Sequence, residues 1–449
     1  MVINYFFYLL LGFIIIYTEI KRDRYTVIDH LSLFNFFFFL VYVFGPISLI
    51  YYGESIVPPD LIYGKFYINK NPFIGFIVFT SYLVFLIGYY WNSPRRFASR
   101  FEVEYKLSPQ KHIYLVILAY IFLVSIMIVY IKSNGGLART VANAENFRSG
   151  VLIANKPYLV KLFSINSLLL YYSYYQVFLK KNNKLKNIYI LFFITSIAIF
   201  MIRSALMNSR GFILLTFLGI YIITAIYHKK YFFKIISIVG VFGILFIKYG
   251  DPFFRAIPDL FHDGFDAFVM TFEHRIEREN LQHHNISSNF LHPIISLGTA
   301  LSVAGDSVPY RYFQDFWGAV IAIMPNSLIG IKEPRLVQSV ITKLLYSLDA
   351  PIVLPGMLAT FAFSFNILGI YILIFLYGIY GGILSELFRN IYKKNNGFIV
   401  LIYAITMGYG YFVFRGSPKN YLLSMFSPIF VMVILLIFSK IYYKKENSK

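Results

Sequence analysis

The sequence predicts an all-α polytopic membrane protein of about eleven transmembrane helices, with one long extracytoplasmic loop carrying amphipathic and re-entrant helices. Three observations predict it. Of the 449 residues, 58% are hydrophobic and only 14% are charged, whereas an ordinary soluble domain carries about 25% charge. Apolar runs of about 20 residues, the length that crosses ~30 Å of hydrocarbon, recur along the whole chain. Lys and Arg punctuate these runs instead of clustering on one face, so the net charge of +20 does not describe a nucleic-acid binder.

The runs fall at 2–20, 31–52, 72–91, 112–131, 158–179, 188–207, 211–228, 233–250, 361–388, 397–414 and 420–441. The first has no positive charge ahead of Val2 and no small-residue cleavage site after Ile20, so it reads as a retained helix and not a signal peptide. Orientation follows from the short connections. One alternate set holds Lys21 to Arg24, Arg95 to Lys111, Lys180 to Lys186, Lys229 to Lys234, Arg389 to Lys394 and the tail from Lys440, together 22 of the 41 basic residues. These are the expected cytoplasmic loops, and an odd number of spans then puts the N-terminus outside and the C-terminus inside. Lys outnumbers Arg 16 to 6 in that set, while Arg leads 10 to 9 on the other side. Membrane retention needs only positive charge, but bidentate phosphate recognition needs the guanidinium fork.

Cysteine is absent, which excludes disulfides, thiolate metal sites and Cys nucleophiles. The 39 Tyr and 49 Phe suit packing against lipid and the headgroup boundary. No internal repeat or linker divides the chain, so residues 1–449 read as a single membrane-embedded domain.

The one long polar insertion is 251–360, between the eighth and ninth runs. It holds five of the eight histidines, His262, His274, His283, His284 and His292, and eleven acidic residues against seven basic ones. Phe265, Phe268, Val269, Phe272 and Ile276 recur at helical spacing, as do Leu336, Val340, Leu344 and Leu348, and both stretches read as helices lying on the membrane surface. Stretches 293–304 and 316–331 are apolar but short, and read as re-entrant; the alternative is two extra spans, making thirteen, with only Arg311 to mark their cytoplasmic turn.

Candidate chemistry gathers around this insertion and the ends of spans six and seven. Arg203 and Arg210 sit at membrane depth, where ionisable groups cost about 2.5–3.5 kcal/mol and tend to be functional; the bland alternative is snorkelling to the headgroups. Gly211 beside Arg210 leaves room for a phosphate at a helix N-terminus. His283 and His284 are adjacent and point apart, which disfavours a shared metal, and no metal motif appears. Either imidazole is suited to proton transfer near neutral pH. Asp306 and Glu273 each have an Arg within five residues. No nucleotide-binding or nucleophile-elbow motif stands in a credible context.

The layout resembles the O-antigen polymerase family, the enzymes that join oligosaccharide repeat units of bacterial surface polysaccharide. The resemblance rests on the eleven-helix plan with one late outer loop, on Ser209-Arg210-Gly211, on Ile323 to Asn326, and on Leu354 to Gly369 entering the next helix. Arg139 to Gly150 fits the Arg-x10-Gly pattern of that family in one outer loop, and no Arg of the long loop fits a second. The family often has an acidic residue where Ala359 and Thr360 stand here.

The resemblance implies a GT-C-like fold in the bacterial inner membrane and no cofactor or metal. Its partners would be polyprenyl-pyrophosphate-linked oligosaccharides, the lipid bilayer and a protein that regulates chain length. A hydroxyl of one repeat unit would attack the anomeric carbon of another lipid-linked chain, with loss of lipid pyrophosphate on the periplasmic face. Arg139, Arg203 and Arg210 with Arg311 or Arg335 would hold the pyrophosphate; His283, His284 or Asp306 would take the hydroxyl proton. An O-antigen ligase shares this architecture. A flippase or other secondary transporter is the alternative from another class, for which repeated halves and interrupted helices are the usual signs.

Overall fold

The computed structural model of the chain describes all residues except 1, 24–27, 53–71, 106–108, 150–151, 153, 181–183, 208–209, 228–248, 251, 254–255, 261–262, 282–287, 322–334, 348–352, 394–407, 438 and 444–449. It is overwhelmingly helical. Among the described residues, five helices, His30–Tyr52, Pro72–Tyr89, Ile113–Ser133, Lys186–Met207 and Gly356–Asn390, are long and apolar enough to cross a membrane. The chain is thus an α-helical membrane protein. The expected eighth run, and most of the tenth, lie outside the described residues.

In chain order the helices are α1 Val2–Lys21, α2 His30–Tyr52, α3 Pro72–Tyr89, α4 Asn92–Ser99 and α5 Pro109–Ser133. Two short helices follow, α6 Leu137–Ala142 and α7 Ala144–Ser149; a 3-10 segment Pro157–Ser164 then leads into α8 Ile165–Tyr174. Next come α9 Lys186–Met207, α10 Arg210–Tyr227, α11 Phe265–Leu281 and α12 Ser288–Val303. The chain ends with α13 Gln314–Ile321, α14 Val337–Tyr346, α15 Gly356–Lys393 and α16 Pro418–Ile437. Two strands pair antiparallel, β1 Phe101–Tyr105 with β2 Ser439–Tyr443.

The packing divides into two groups. One core joins α1, α2, α3, α12, α14 and α15 through side chains such as Phe34, Phe38, Tyr82, Phe85, Ile341 and Phe363. A second joins α5, α8 and α9 through Leu123, Tyr130, Phe163 and Leu206. Helix α16 packs on α13, whose Phe316 lies against the first core, and on α8 of the second.

Helices α3 and α15 lie in parallel, backbone against backbone. A Cβ at Gly378 would overlap the Phe85 carbonyl, and one at Gly382 would lie 2.5 Å from the Tyr89 carbonyl. Gly378 and Gly382 are four residues apart on one helix face, the spacing by which apolar helices approach closely in lipid.

One end of the bundle collects the basic connections. Asp29 caps α2 by accepting the Ser32 N–H at 2.9 Å. The Arg22 guanidinium grips the same carboxylate at 2.5 and 2.8 Å, and lies 3.2 Å from Glu19. Burial alone would raise the Asp29 carboxyl, but the Arg22 hydrogen bond and charge outweigh it and hold it below the usual carboxylate range. Beside this knot the His30 ring lies 5.9 Å from Phe388. Arg95 binds Glu386 at 2.5 Å, and Asn390 donates to the carbonyls of Ser99 and Phe101. With the β1–β2 pair, the loop after α3, the end of α15 and the C-terminal tail therefore meet on one side.

Two helices depart from straight geometry. In α2, Leu40–Phe44 is a π-turn, with the Gly45 N–H reaching back five residues to Leu40, immediately before Pro46, which has no N–H to offer the ladder. In α15 the departure is larger. An unbroken 38-residue helix would measure about 57 Å, but Phe365 (φ −153°, ψ 34°) and Asn366 (φ 55°, ψ −138°) leave helical conformation. The chain doubles back there. A Cβ at Gly369 would lie 2.5 Å from the Phe361 carbonyl, whereas a straight helix holds residues eight apart at about 12 Å. Phe361 and Tyr377 also share Phe412 as a ring neighbour, at 6.3 and 5.5 Å. The 361–388 run, expected as one plain span, is thus a short buried helix folded against a long one.

The insertion 251–360 also differs from expectation. Helix α14 does not lie on a surface. Its buried stripe is Val337, Ile341 and Leu345, one residue out of phase with the expected stripe, and all three belong to the main core. Helix α11 does keep an exposed apolar side, with Phe265 and Met270 open and Phe265, Phe268 and Phe272 stacked in sequence. Helix α12, at 16 residues, is too short to cross; it starts against Gly45 of α2, packs Pro293 on Gly356, and ends where Asn366 reaches the Ala304 carbonyl.

Candidate functional site

Arg203 lies one turn from the end of α9, the helix on which α6 and α7 pack. Its side chain turns inward. The residue is 8% exposed and Nη1 donates to the Ser167 hydroxyl of α8 at 3.2 Å. A guanidinium aimed between two apolar helices has not snorkelled to the headgroups, so its desolvation is sustained by the fold. Arg139 is exposed on α6, where its side chain lies over Gly135, and the Gly136 carbonyl starts the helix by accepting the Thr140 N–H at 3.0 Å. The packing of α6 on α9 brings the segments carrying Arg139 and Arg203 together. Arg210 opens α10 immediately after the undescribed pair 208–209, and its side chain lies outside the described ones.

Arg311 serves a different purpose from the pyrophosphate contact expected of it. Its Nε and Nη2 hold the Asp315 carboxylate at 2.6 and 3.0 Å, and Nη2 also donates to the Arg335 carbonyl. The second Asp315 oxygen accepts the Val337 N–H at 2.8 Å. The guanidinium fork is therefore used to clasp the start of α13 to the start of α14. The Arg311 N–H donates at 2.8 Å to the Phe363 carbonyl, which the break in α15 releases from the helical ladder. Arg335 thus enters this clasp by its backbone, and its side chain is exposed.

Among the expected proton acceptors, His283 and His284 lie outside the described residues, as do His262 and Ile323 to Asn326. His274 and Glu273 are exposed on α11. His292 is pushed down to about 4 by burial, so it is neutral and a weak base at physiological pH. Asp306 is exposed in a turn closed by the Gly305 N–H to the Val308 carbonyl at 2.7 Å. The Arg five residues from it, Arg311, is committed to Asp315 and does not pair with it. Among the described residues no group of three or more His, Asp or Glu side chains could hold a metal ion.

Sequence reasoning missed two features. The interruption of α15 carries no proline or glycine at the break itself, and Asn, which tolerates positive φ, is its only local sign. The second is a group of aromatic side chains around that break. Tyr312 and Phe313 both adopt positive φ (42° and 65°), and their rings lie 5.4 and 4.9 Å from Phe365. No family model, no curated protein and no solved structure matches this chain.

Proposed function

We propose that the chain is an O-antigen or related surface-polysaccharide polymerase of about eleven spans, joining polyprenyl-pyrophosphate-linked oligosaccharide repeat units outside the bacterial inner membrane. The observation that carries the reading is the buried Arg203 guanidinium in an apolar helix, with the Arg139 segment packed beside it. A fixed cation at that depth is suited to a diphosphate whose lipid tail stays among the helices. The orientation is supported by the meeting of the basic loops at one end of the bundle. The GT-C-like character of the fold rests on resemblance alone.

In this reading a repeat-unit hydroxyl attacks the anomeric carbon of the partner chain. The bond from that carbon to the pyrophosphate oxygen breaks and the leaving group takes the electron pair. Arg203, Arg139 and Arg210, with the exposed Arg335 side chain, stabilise the charge that grows on the pyrophosphate. His283, His284 or Asp306 accepts the hydroxyl proton. Arg311 acts as a clasp and not as a ligand.

The test is a gel of surface lipopolysaccharide from a deletion strain. A polymerase-null cell displays single repeat units, and complementation restores the ladder with wild type but not with Arg203→Ala. A strain lacking capped lipid A altogether indicates the ligase instead. An unchanged ladder in the deletion strain removes both. A transporter is favoured by one observation, the doubled-back helix α15, since interrupted helices line transport sites; loss of all surface glycan with accumulation of single lipid-linked repeats inside the cell would select it.

A further inference from the structure

The segment 304–317 and the break in α15 together form a rigid, strained and partly exposed aromatic surface. Its rigidity has three sources already described: the Arg311 to Asp315 clasp, the Arg311 N–H on the Phe363 carbonyl, and the turn closed at Gly305. The hydroxyl end of the Tyr310 ring lies against Gly305, where any Cβ would collide with it. On this base stand Tyr312 at 60% exposure, Phe313 at 40% and Trp317 at 65%. Phe313 and Trp317 lie one helical turn apart, joined by the Trp317 N–H to the Phe313 carbonyl at 3.0 Å.

The backbone carries strain at this surface. Tyr312, Phe313 and Asn366 are three of the five non-glycine residues with positive φ among the described residues, and all three meet at Phe365 or adjoin it. For bulky aromatic residues that conformation is unfavourable, and it persists where the surroundings demand it. A ring that only anchors a protein in the headgroup layer has no such requirement, because any rotamer reaches lipid.

The polar groups at the surface select among occupants. Of the three charged residues in 304–317, Arg311 and Asp315 neutralise each other, which leaves the exposed Asp306 carboxylate. An exposed carboxylate accepts hydrogen bonds from hydroxyl donors.

We propose that Tyr312, Phe313 and Trp317 form a stacking subsite for a neutral oligosaccharide, with Asp306 accepting hydroxyl hydrogen bonds from its sugar rings. Flat rings take the C–H faces of pyranoses and the carboxylate takes their edges, which is the complement that a polyhydroxylated, uncharged chain presents. The identification of the glycan as a repeat unit rests on the polymerase reading; the stacking surface itself does not. In the reaction proposed above, with His283 or His284 as the base, this subsite would hold sugars one or more units away from the bond being made.

The chain contains two tryptophans, and Trp91 lies far along the sequence beside Phe375. Trp91→Phe therefore leaves Trp317 as sole reporter in full-length protein reconstituted in nanodiscs. The probe is the lipid-free oligosaccharide released by mild acid from the polyprenyl-linked pool of the source cell. A saturable change in Trp317 emission is expected, weakened roughly tenfold by Tyr312→Ala and retained in Tyr312→Phe, which keeps the ring and controls for folding. The same protein in nanodiscs of brominated phosphatidylethanolamine and phosphatidylglycerol is expected to show little quenching of Trp317. Strong bromolipid quenching with no response to the oligosaccharide makes the surface a membrane anchor and overturns the proposal. A normal ladder from a Tyr312→Ala, Trp317→Ala strain, where the deletion strain shows single repeats, overturns the subsite and leaves the polymerase reading standing. A deletion strain with an unchanged ladder removes that reading, while the emission titration still decides the subsite.

Discussion

Removing one partner of the Arg311 to Asp315 clasp tests whether these residues hold structure or substrate. The two side chains are 10% and 3% exposed and paired at 2.6 Å, so Arg311→Met leaves the Asp315 carboxylate buried with only the Val337 N–H to satisfy it. Stranding one charge of a buried pair costs about 3–5 kcal/mol, and a value near 3 shifts a local opening equilibrium by more than about a hundredfold. Hydrogen exchange of the amides in 304–317 and 337–341, followed in nanodiscs, reads that opening directly. Protection there should fall by about two orders of magnitude, while α3 and the long part of α15 keep theirs. The double variant Arg311→Met, Asp315→Leu should recover much of the loss, because replacing both charges with apolar groups removes the desolvation penalty along with the attraction. Exchange within about threefold of wild type in the single variant would refute the clasp and return Arg311 to the list of candidate phosphate ligands.

Three further outcomes follow from the packing. Gly378→Leu should separate α3 from α15, since its side chain meets the Phe85 carbonyl; the expected result is loss of folded protein in detergent by size-exclusion chromatography, where Leu376→Ala on the exposed side of the helix is tolerated. Asn366→Gly should be neutral or stabilising by about 1 kcal/mol in thermal unfolding, and Asn366→Val destabilising, because φ 55° with ψ −138° suits glycine alone. The Asp29 carboxyl is lowered in the fold, so its contribution is complete above the unfolded value near ~3.9 and is lost as pH falls below it; acid exposure should release the α1 to α2 connection to protease, and Asp29→Asn should do so at neutral pH.

Much of the architecture was legible along the chain. A bilayer demands about 20 apolar residues per crossing and internal pairing of every backbone group, so helices at Val2–Lys21, Pro72–Tyr89 and Lys186–Met207 could be placed by length and composition alone. The grouping of the basic connections likewise appears in the fold as the meeting of Arg95, Glu386 and the β1–β2 pair. Arg203 was identifiable because a guanidinium in an apolar run is costly wherever it points.

What the linear pattern could not reveal depends on partners distant in sequence. Whether Arg203 snorkels or turns inward is decided by Ser167 on another helix, and whether Arg311 is free for phosphate is decided by Asp315 and by the Arg335 carbonyl. The stripe of α14 slipped by one residue because the apolar residues come in adjacent pairs, Leu336 with Val337, Val340 with Ile341 and Leu344 with Leu345, so periodicity left its phase to the core that Val337 and Ile341 enter. The fold-back at Phe365 and Asn366 is the strongest case. An apolar run looks the same whether it crosses once or doubles back, and only the Arg311 N–H waiting for the Phe363 carbonyl, with Ala304 beside Asn366, makes the break affordable in a buried setting. Composition and charge thus determined that the chain lives in a membrane and how its helices are spaced, while long-range hydrogen bonds decided which of its polar groups remain available for chemistry.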